Sequence, residues 1–253
     1  MSPARAIPAV AAGALAGRVV LVTGAAGGLG QAAARACAKA GATVVLLGRK
    51  VPRLSRAYDA VKALGPEPAI YPLDLAGAGP ADYEALADRI EADLGGLHGV
   101  LHCAVEFTGL RPLELTPAED FVRQLHVGLT APWLLTQACL PALKRQADSA
   151  VVFLLDDLAR INRAYWGAYG VAKAGLAGLV KQLHDETDTG PVRVAGLLPG
   201  PMHTDLRARA YIEEAATAWP APARYAPACV HLLSAAGRDL RGQVWAPSLE
   251  AAA

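Results

Sequence analysis

In the stretch AYWGAYGVAK, residues 164–173, Tyr169 stands four residues ahead of Lys173. On a helix that spacing puts both side chains on one face, about one turn apart. A charged ammonium beside a phenol lowers the cost of forming the phenolate, so the phenol could give a proton to a substrate oxygen or take one from it. Such pairs also occur on ordinary exposed helices. What the pair means depends on what the rest of the chain brings to it.

A second segment with chemical content is Thr23-Gly24-Ala25-Ala26-Gly27-Gly28-Leu29-Gly30, placed between an apolar run and a helical one. Gly24 can turn the chain sharply, and Gly28 and Gly30 let backbone approach a diphosphate and a helix pack close to a sheet. The opening amides of that helix would face the anion. We take Gly24, Gly27, Gly28, Leu29 and Gly30 as cofactor-binding residues, against the plainer reading of a flexible turn. The next strand ends Gly48-Arg49-Lys50, where an NAD-preferring site would offer a carboxylate to the ribose hydroxyls. None is present, and Arg49 can pair with a 2′-phosphate, so NADP(H) is favoured over NAD(H) unless Arg49 is only a solvated surface residue. Asp74 and Leu75 follow the third strand, where an adenine edge would lie; a turn or capping role suits Asp74 equally.

These residues need a scaffold, and the apolar pattern supplies one. Strand-length runs recur at residues 18–22, 42–47, 68–73, 99–103, 150–155, 192–198 and 243–246. Several are continuous, as in strands covered on both faces. Helical spacing fills residues 29–40, 53–64, 81–94, 117–145 and 165–186. This βαβ rhythm predicts an α/β chain: a single-domain, Rossmann-like, doubly wound parallel sheet of about seven strands with helices on both faces. Its ligand crevice opens at the carboxyl ends of the strands. We read residues 1–253 as one domain, with 1–14 as a loosely ordered N-terminal extension.

The formal net charge is +1 and Lys and Arg form no run, which argues against nucleic acid or an anionic membrane as partner. Cys37, Cys103, Cys139 and Cys229 are widely spaced, without metal-ligand spacing, and read as reduced packed thiols. No apolar segment is long enough to span a bilayer, and residues 1–17 lack a secretory pattern, so a cytoplasmic location is expected.

Taken together, the order and spacing of these motifs resemble the short-chain dehydrogenase/reductase family over nearly the whole chain. The glycine segment matches the family's Thr-Gly-x-x-x-Gly-x-Gly, and Tyr169 to Lys173 its Tyr-x-x-x-Lys. Pro199-Gly200-Pro201-Met202-His203-Thr204 resembles its Pro-Gly segment, and Gly242-Gln243 the entry to its last strand. The resemblance implies hydride transfer between a nicotinamide cofactor and a carbonyl or alcohol. It implies that Lys173 holds the nicotinamide ribose and tunes Tyr169, and that Ala104, Pro199, Gly200, Met202 and Thr204 border the cofactor. It also implies homodimers or homotetramers built through the long helices.

The chain departs from the family pattern in three places, one of them the segment His102-Cys103-Ala104-Val105, where the family has Asn-Asn-Ala-Gly. Asp156 stands thirteen residues before Tyr169, where the family has a serine that donates to the substrate oxygen. An ionised carboxylate cannot donate, repels an oxyanion and opposes phenolate formation at Tyr169. Burial could keep Asp156 protonated, Lys173 or Arg163 could pair with it, a substrate amine could replace the carbonyl, or Asp156 could simply face solvent. Val105 replaces a glycine next to Ala104, and Gly128 replaces an asparagine that interrupts a long helix. His102 and His126 invite a catalytic or metal role but read better as packed histidines, and no metal is expected.

The leading expectation is an NADP(H)-dependent oxidoreductase with Tyr169, Lys173 and Asp156 as catalytic residues. A redox-inactive NADP(H)-binding protein, and a lyase or isomerase using Asp156 as a base, remain as alternatives. A lid over residues 202–220, with His203, Tyr211 and Trp219, suits a small apolar or aromatic substrate, or packing on its own domain.

Overall fold

In the computed structural model, which describes residues 5–249, seven strands form one parallel sheet. They are β1 (Val19–Thr23), β2 (Thr43–Gly48), β3 (Ala69–Pro72), β4 (Gly99–His102), β5 (Ser149–Leu154), β6 (Val192–Leu197) and β7 (Val244–Trp245). Across the sheet they run β3-β2-β1-β4-β5-β6-β7. Winding reverses between β1 and β4, and there the crevice of a doubly wound sheet opens.

The helices are α1 (Gly28–Lys39), α2 (Val51–Lys62), α3 (Pro80–Leu94), α4 (Ala118–Leu125), α5 (Ala131–Lys144), α6 (Leu158–Ile161), α7 (Gly167–Thr187), α8 (Asp205–Ala210) and α9 (Ala226–Leu233). The strand runs are continuously apolar because both faces are covered. In β1, Val20 and Val22 join a core with residues of α1, α2 and α9, while Val19 and Leu21 join a second core with residues of α3, α5 and α7. A third, smaller cluster of Phe107, Ile161, Trp166 and Tyr169 lies apart from both.

One helix expected over residues 117–145 is in fact three pieces, because a π-helical turn at His126–Thr130 separates α4 from α5. Gly128 lies at its centre, and a Cβ there would come 2.9 Å from the Cβ of Ala172 on α7. The widened turn and the missing side chain together let the two helices touch.

Residues 1–4 of the expected N-terminal extension lie outside the described residues, as do 250–253. Ala6 forms a parallel bridge to Ser248, and Ile7 packs against the first core. Among the described residues, no helix is long and apolar enough to cross a membrane, and no His, Cys, Asp and Glu cluster could hold a metal. All four cysteines are buried and free; burial pushes the thiols of Cys37, Cys103 and Cys139 up to about 12.

His102, at the end of β4, stacks on Phe153 with centroids 4.7 Å apart and shares a 2.8 Å hydrogen bond with Thr136 Oγ1. Burial, and then the Lys173 charge, hold its pKa down to about 3. The imidazole is a neutral core group. The unfolded chain protonates it near its usual 6.5, so its contribution to stability is complete above that pH and is lost as pH falls toward 3. We expect His102→Gln to remove several kcal/mol of the acid-side loss, read from urea midpoints between pH 7 and 4. An unchanged slope would refute this origin.

Candidate active site

A cleft of about 410 Å³ opens at the carboxyl ends of the strands, and every residue singled out above as catalytic or cofactor-binding lines it. At its centre is the β1–α1 turn. Gly24 has φ +64°, in the region that favours glycine, and a Cβ there would meet the backbone of Ala104 at 2.9 Å. A Cβ on Gly30 would lie 2.3 Å from the Gly24 carbonyl oxygen, so α1 can start this close to the turn only without one. Thr23 Oγ1 accepts from the amides of Cys103 and Ala104, tying β1 to the chain leaving β4.

The first turn of α1 has no side-chain cap and no acidic residue. Its opening amides are therefore free to meet an anion. Across the gap, a Cβ on Gly28 would come 3.0 Å from the Thr204 methyl, so side-chain bulk at 28 would narrow the space between α1 and α8. Thr204 Oγ1 caps α8 by accepting from Arg207 N at 3.2 Å. Pro199, Gly200 and Met202 form the neighbouring wall. This donor set and this cradle fit a dinucleotide diphosphate.

At the far end, Arg49 lines the cleft and lies 3.4 Å from Glu106, which also pairs with Arg123. Lys50 and Arg53 line it too. The sequence reading passed over both, although the run Gly48-Arg49-Lys50-Val51-Pro52-Arg53 carries three cations at the head of α2. Asp74 lines the cleft and also makes a turn, its Oδ1 accepting from Ala76 N at 3.1 Å.

The proton-bearing groups come together beyond β5. Tyr169 donates its hydroxyl hydrogen to Asp156 Oδ2 at 2.7 Å. The other oxygen of Asp156 accepts from Arg160 on α6, and Arg160 also donates to the Tyr211 hydroxyl at 3.2 Å. Lys173 Nζ donates to the Leu154 carbonyl at 2.6 Å and lies 5.8 Å from the Tyr169 ring centroid. Gly170 permits this assembly, since a Cβ there would run into the Ile161 carbonyl at 2.5 Å and push α6 from α7.

Two expectations are corrected here. Asp156 neither faces solvent alone nor pairs with Lys173 or Arg163; its partners are Tyr169 and Arg160, while Arg163 donates to the Ala159 carbonyl. The Tyr169 phenol is also not eased toward ionisation. Burial first, and then the Asp156 charge, raise its pKa well above the usual phenol value, and only Arg160 pulls the other way. Burial lowers Lys173 to about 8 against the opposing pull of Asp156. Sequence reasoning missed Arg160, whose one signal was its position four residues after Asp156.

In the expected lid, Tyr211 lines the cleft. Trp219 donates to Glu214 and stacks with Arg207 instead. Phe107, reached by neither motif nor spacing, packs edge-on to Tyr169 at 5.4 Å. Val105 and Leu206 complete an apolar wall. His126 does not line the cleft.

This geometry has relatives. The family model for short chain dehydrogenases matches residues 18–215. The oxidoreductase YciK of Escherichia coli (strain K12) is 32% identical over 229 residues, 90% of either chain. A short chain dehydrogenase structure from Pseudomonas syringae shares 41% identity at a TM-score of 0.89, over 95% of this chain and 99% of that one. Another, from Escherichia coli CFT073 and solved with NADPH, shares 33% identity at a TM-score of 0.87, over 92% and 97%. With its glycine turn, its winding reversal and its Tyr169–Lys173 pair in one cleft, the chain belongs to the short-chain dehydrogenase family.

Proposed function

We propose that this protein is an NADP(H)-dependent oxidoreductase that reduces a carbonyl, or oxidises the corresponding alcohol, on a small apolar or aromatic molecule. The observation that carries this reading is the placement of Tyr169 and Lys173 in the same cleft as an uncapped α1. When bound, the dinucleotide supplies or takes up the reducing equivalent.

The chain's own residues do the rest. The α1 amides and the glycine turn hold the diphosphate, and Arg49, Lys50 and Arg53 meet a 2′-phosphate. Tyr169 keeps its proton because its pKa is raised; it is the group that gives this proton to a substrate oxygen, at a cost the raised pKa increases. Lys173, charged below about pH 8, offsets the phenolate left behind. Val105, Phe107 and Leu206 exclude water and seat an apolar substrate.

Arg49→Ala is expected to weaken NADPH binding roughly tenfold to a hundredfold, the worth of a charge-assisted contact, and to leave NADH binding unchanged. Titration calorimetry with both dinucleotides decides this; equal losses would refute the phosphate role. The wider reading is tested by offering NADPH with a panel of aldehydes, ketones and imines. Tight binding with no turnover on any of them would overturn it.

A second reading, a redox-inactive dinucleotide-binding protein, is favoured by one observation: the proton needed by the substrate is bonded to Asp156. An inert parent and an active Asp156→Ser variant would establish that reading instead.

A further inference from the structure

We propose that Arg160 is the residue that donates a hydrogen bond to the substrate oxygen as negative charge builds on it, a catalytic role that Asp156 cannot fill. This rests on the oxidoreductase reading above and deepens it. An oxygen that gains charge needs a donor aimed at it. Near Tyr169, Asp156 is an acceptor, already taking bonds from Tyr169 and Arg160.

The other cations lining this end of the cleft are engaged elsewhere. Lys173 is buried and bonded to the Leu154 carbonyl. Arg207 makes a bidentate pair with Glu214, and Arg209 donates to the Phe107 carbonyl. Arg160 differs from all three. All four line the cleft, but of them Arg160 alone shares a carboxylate with the phenol that would give the proton, and its side chain is 30% exposed.

Its two hydrogen bonds, to Asp156 and to Tyr211, leave further N–H donors of the fork without a protein partner among the described residues. The fork is also held in place. It lies over the rings of Trp166 and Tyr211, 5.6 and 6.0 Å from their centroids, and α6 is pressed against α7 at Gly170. A donor that is fixed before the charge appears costs no reorganisation when it does. In this arrangement Asp156 holds Arg160 in place and orients the phenol, and Arg160 meets the substrate oxygen.

The opposing view is that Arg160 merely neutralises Asp156. A cycle of Arg160→Met and Asp156→Ala separates the two, because alanine removes the charge without supplying a donor. If Arg160 is the donor, its loss lowers kcat about 10²- to 10³-fold in the Asp156→Ala background, and the loss shrinks in the Asp156→Ser background, where a hydroxyl can donate. If it is only a counter-ion, its loss has no effect once Asp156 is alanine, and the proposal falls.

Ultraviolet titration of the Tyr169 phenol, taken as the difference from Tyr169→Phe, needs neither substrate nor cofactor. In the Asp156→Ala background, removing Arg160 should move phenolate formation to higher pH. An unmoved titration overturns the Arg160 assignment even if the parent turns nothing over. A parent that is inert on every substrate refutes the oxidoreductase reading and the Arg160 role with it, whereas a parent that turns over but is indifferent to Arg160→Met in the Asp156→Ala background refutes the Arg160 role alone.

Discussion

Tyr169→Phe is expected to lower kcat by about 10²- to 10⁴-fold, the usual worth of a positioned acid, while NADPH binds as before. The two effects separate because the ring stays. Phenylalanine keeps the contact with Phe107 and the packing beside Trp166, where the ring centroids are 5.4 and 5.6 Å apart. Only the hydroxyl is lost, and with it the 2.7 Å bond to Asp156. A second signature should accompany the kinetic one. Asp156 Oδ2 loses its phenolic donor in a site where the side chain is 14% exposed, which costs about 1–3 kcal/mol of stability. Steady-state kinetics, calorimetry with NADPH and a denaturant melt check all three effects, and undiminished turnover would remove Tyr169 from the mechanism.

Lys173→Met should abolish measurable turnover and yet leave a protein at least as stable at neutral pH. The reason is the sign of the burial effect. Lys173 is almost wholly buried, and its pKa is about 8 against a usual 10.5. Between those values the unfolded chain holds a proton that the folded one does not, so stability rises with pH across that window and falls as pH drops through about 8. Below pH 8 the full cost is present, on the order of 3 kcal/mol. Methionine removes that cost and keeps most of the volume, at the expense of a donor for the Leu154 carbonyl. The parent should therefore gain stability between pH 8 and 10, and the variant should not. A variant with the same pH dependence as the parent would show that the ammonium is not the source.

The sheet was legible in the sequence because parallel strands buried on both faces read as unbroken apolar runs, and residues 42–47 and 192–198 fall within one or two positions of β2 and β6. The glycine turn and the Tyr169–Lys173 pair could be found because their chemistry depends on short-range spacing. What escaped depends on contacts distant in sequence or on elements too short to have a period. Arg160 sits on α6, a single turn of Leu158–Ile161, and only the approach of α6 to α7 brings it onto the shared carboxylate. The break between α4 and α5 left no trace in the apolar pattern of residues 117–145, which runs on through the π turn; only the resemblance pointed to it, at Gly128. Of the Tyr169 shift only the smaller part was legible, since a carboxylate at 156 was expected to oppose phenolate formation; sequence does not show how deeply the phenol is buried.

The contact between Gly128 and Ala172 restricts how this site can change over time. Ala172 immediately precedes Lys173, so any side chain acquired at 128 would displace the turn of α7 that carries the ammonium. An asparagine at 128 would require α7 to shift or residue 172 to lose its Cβ, and a glycine at 172 loosens a helix. The register between the π turn and the lysine-bearing turn of α7 thus depends on an atom that position 128 does not have.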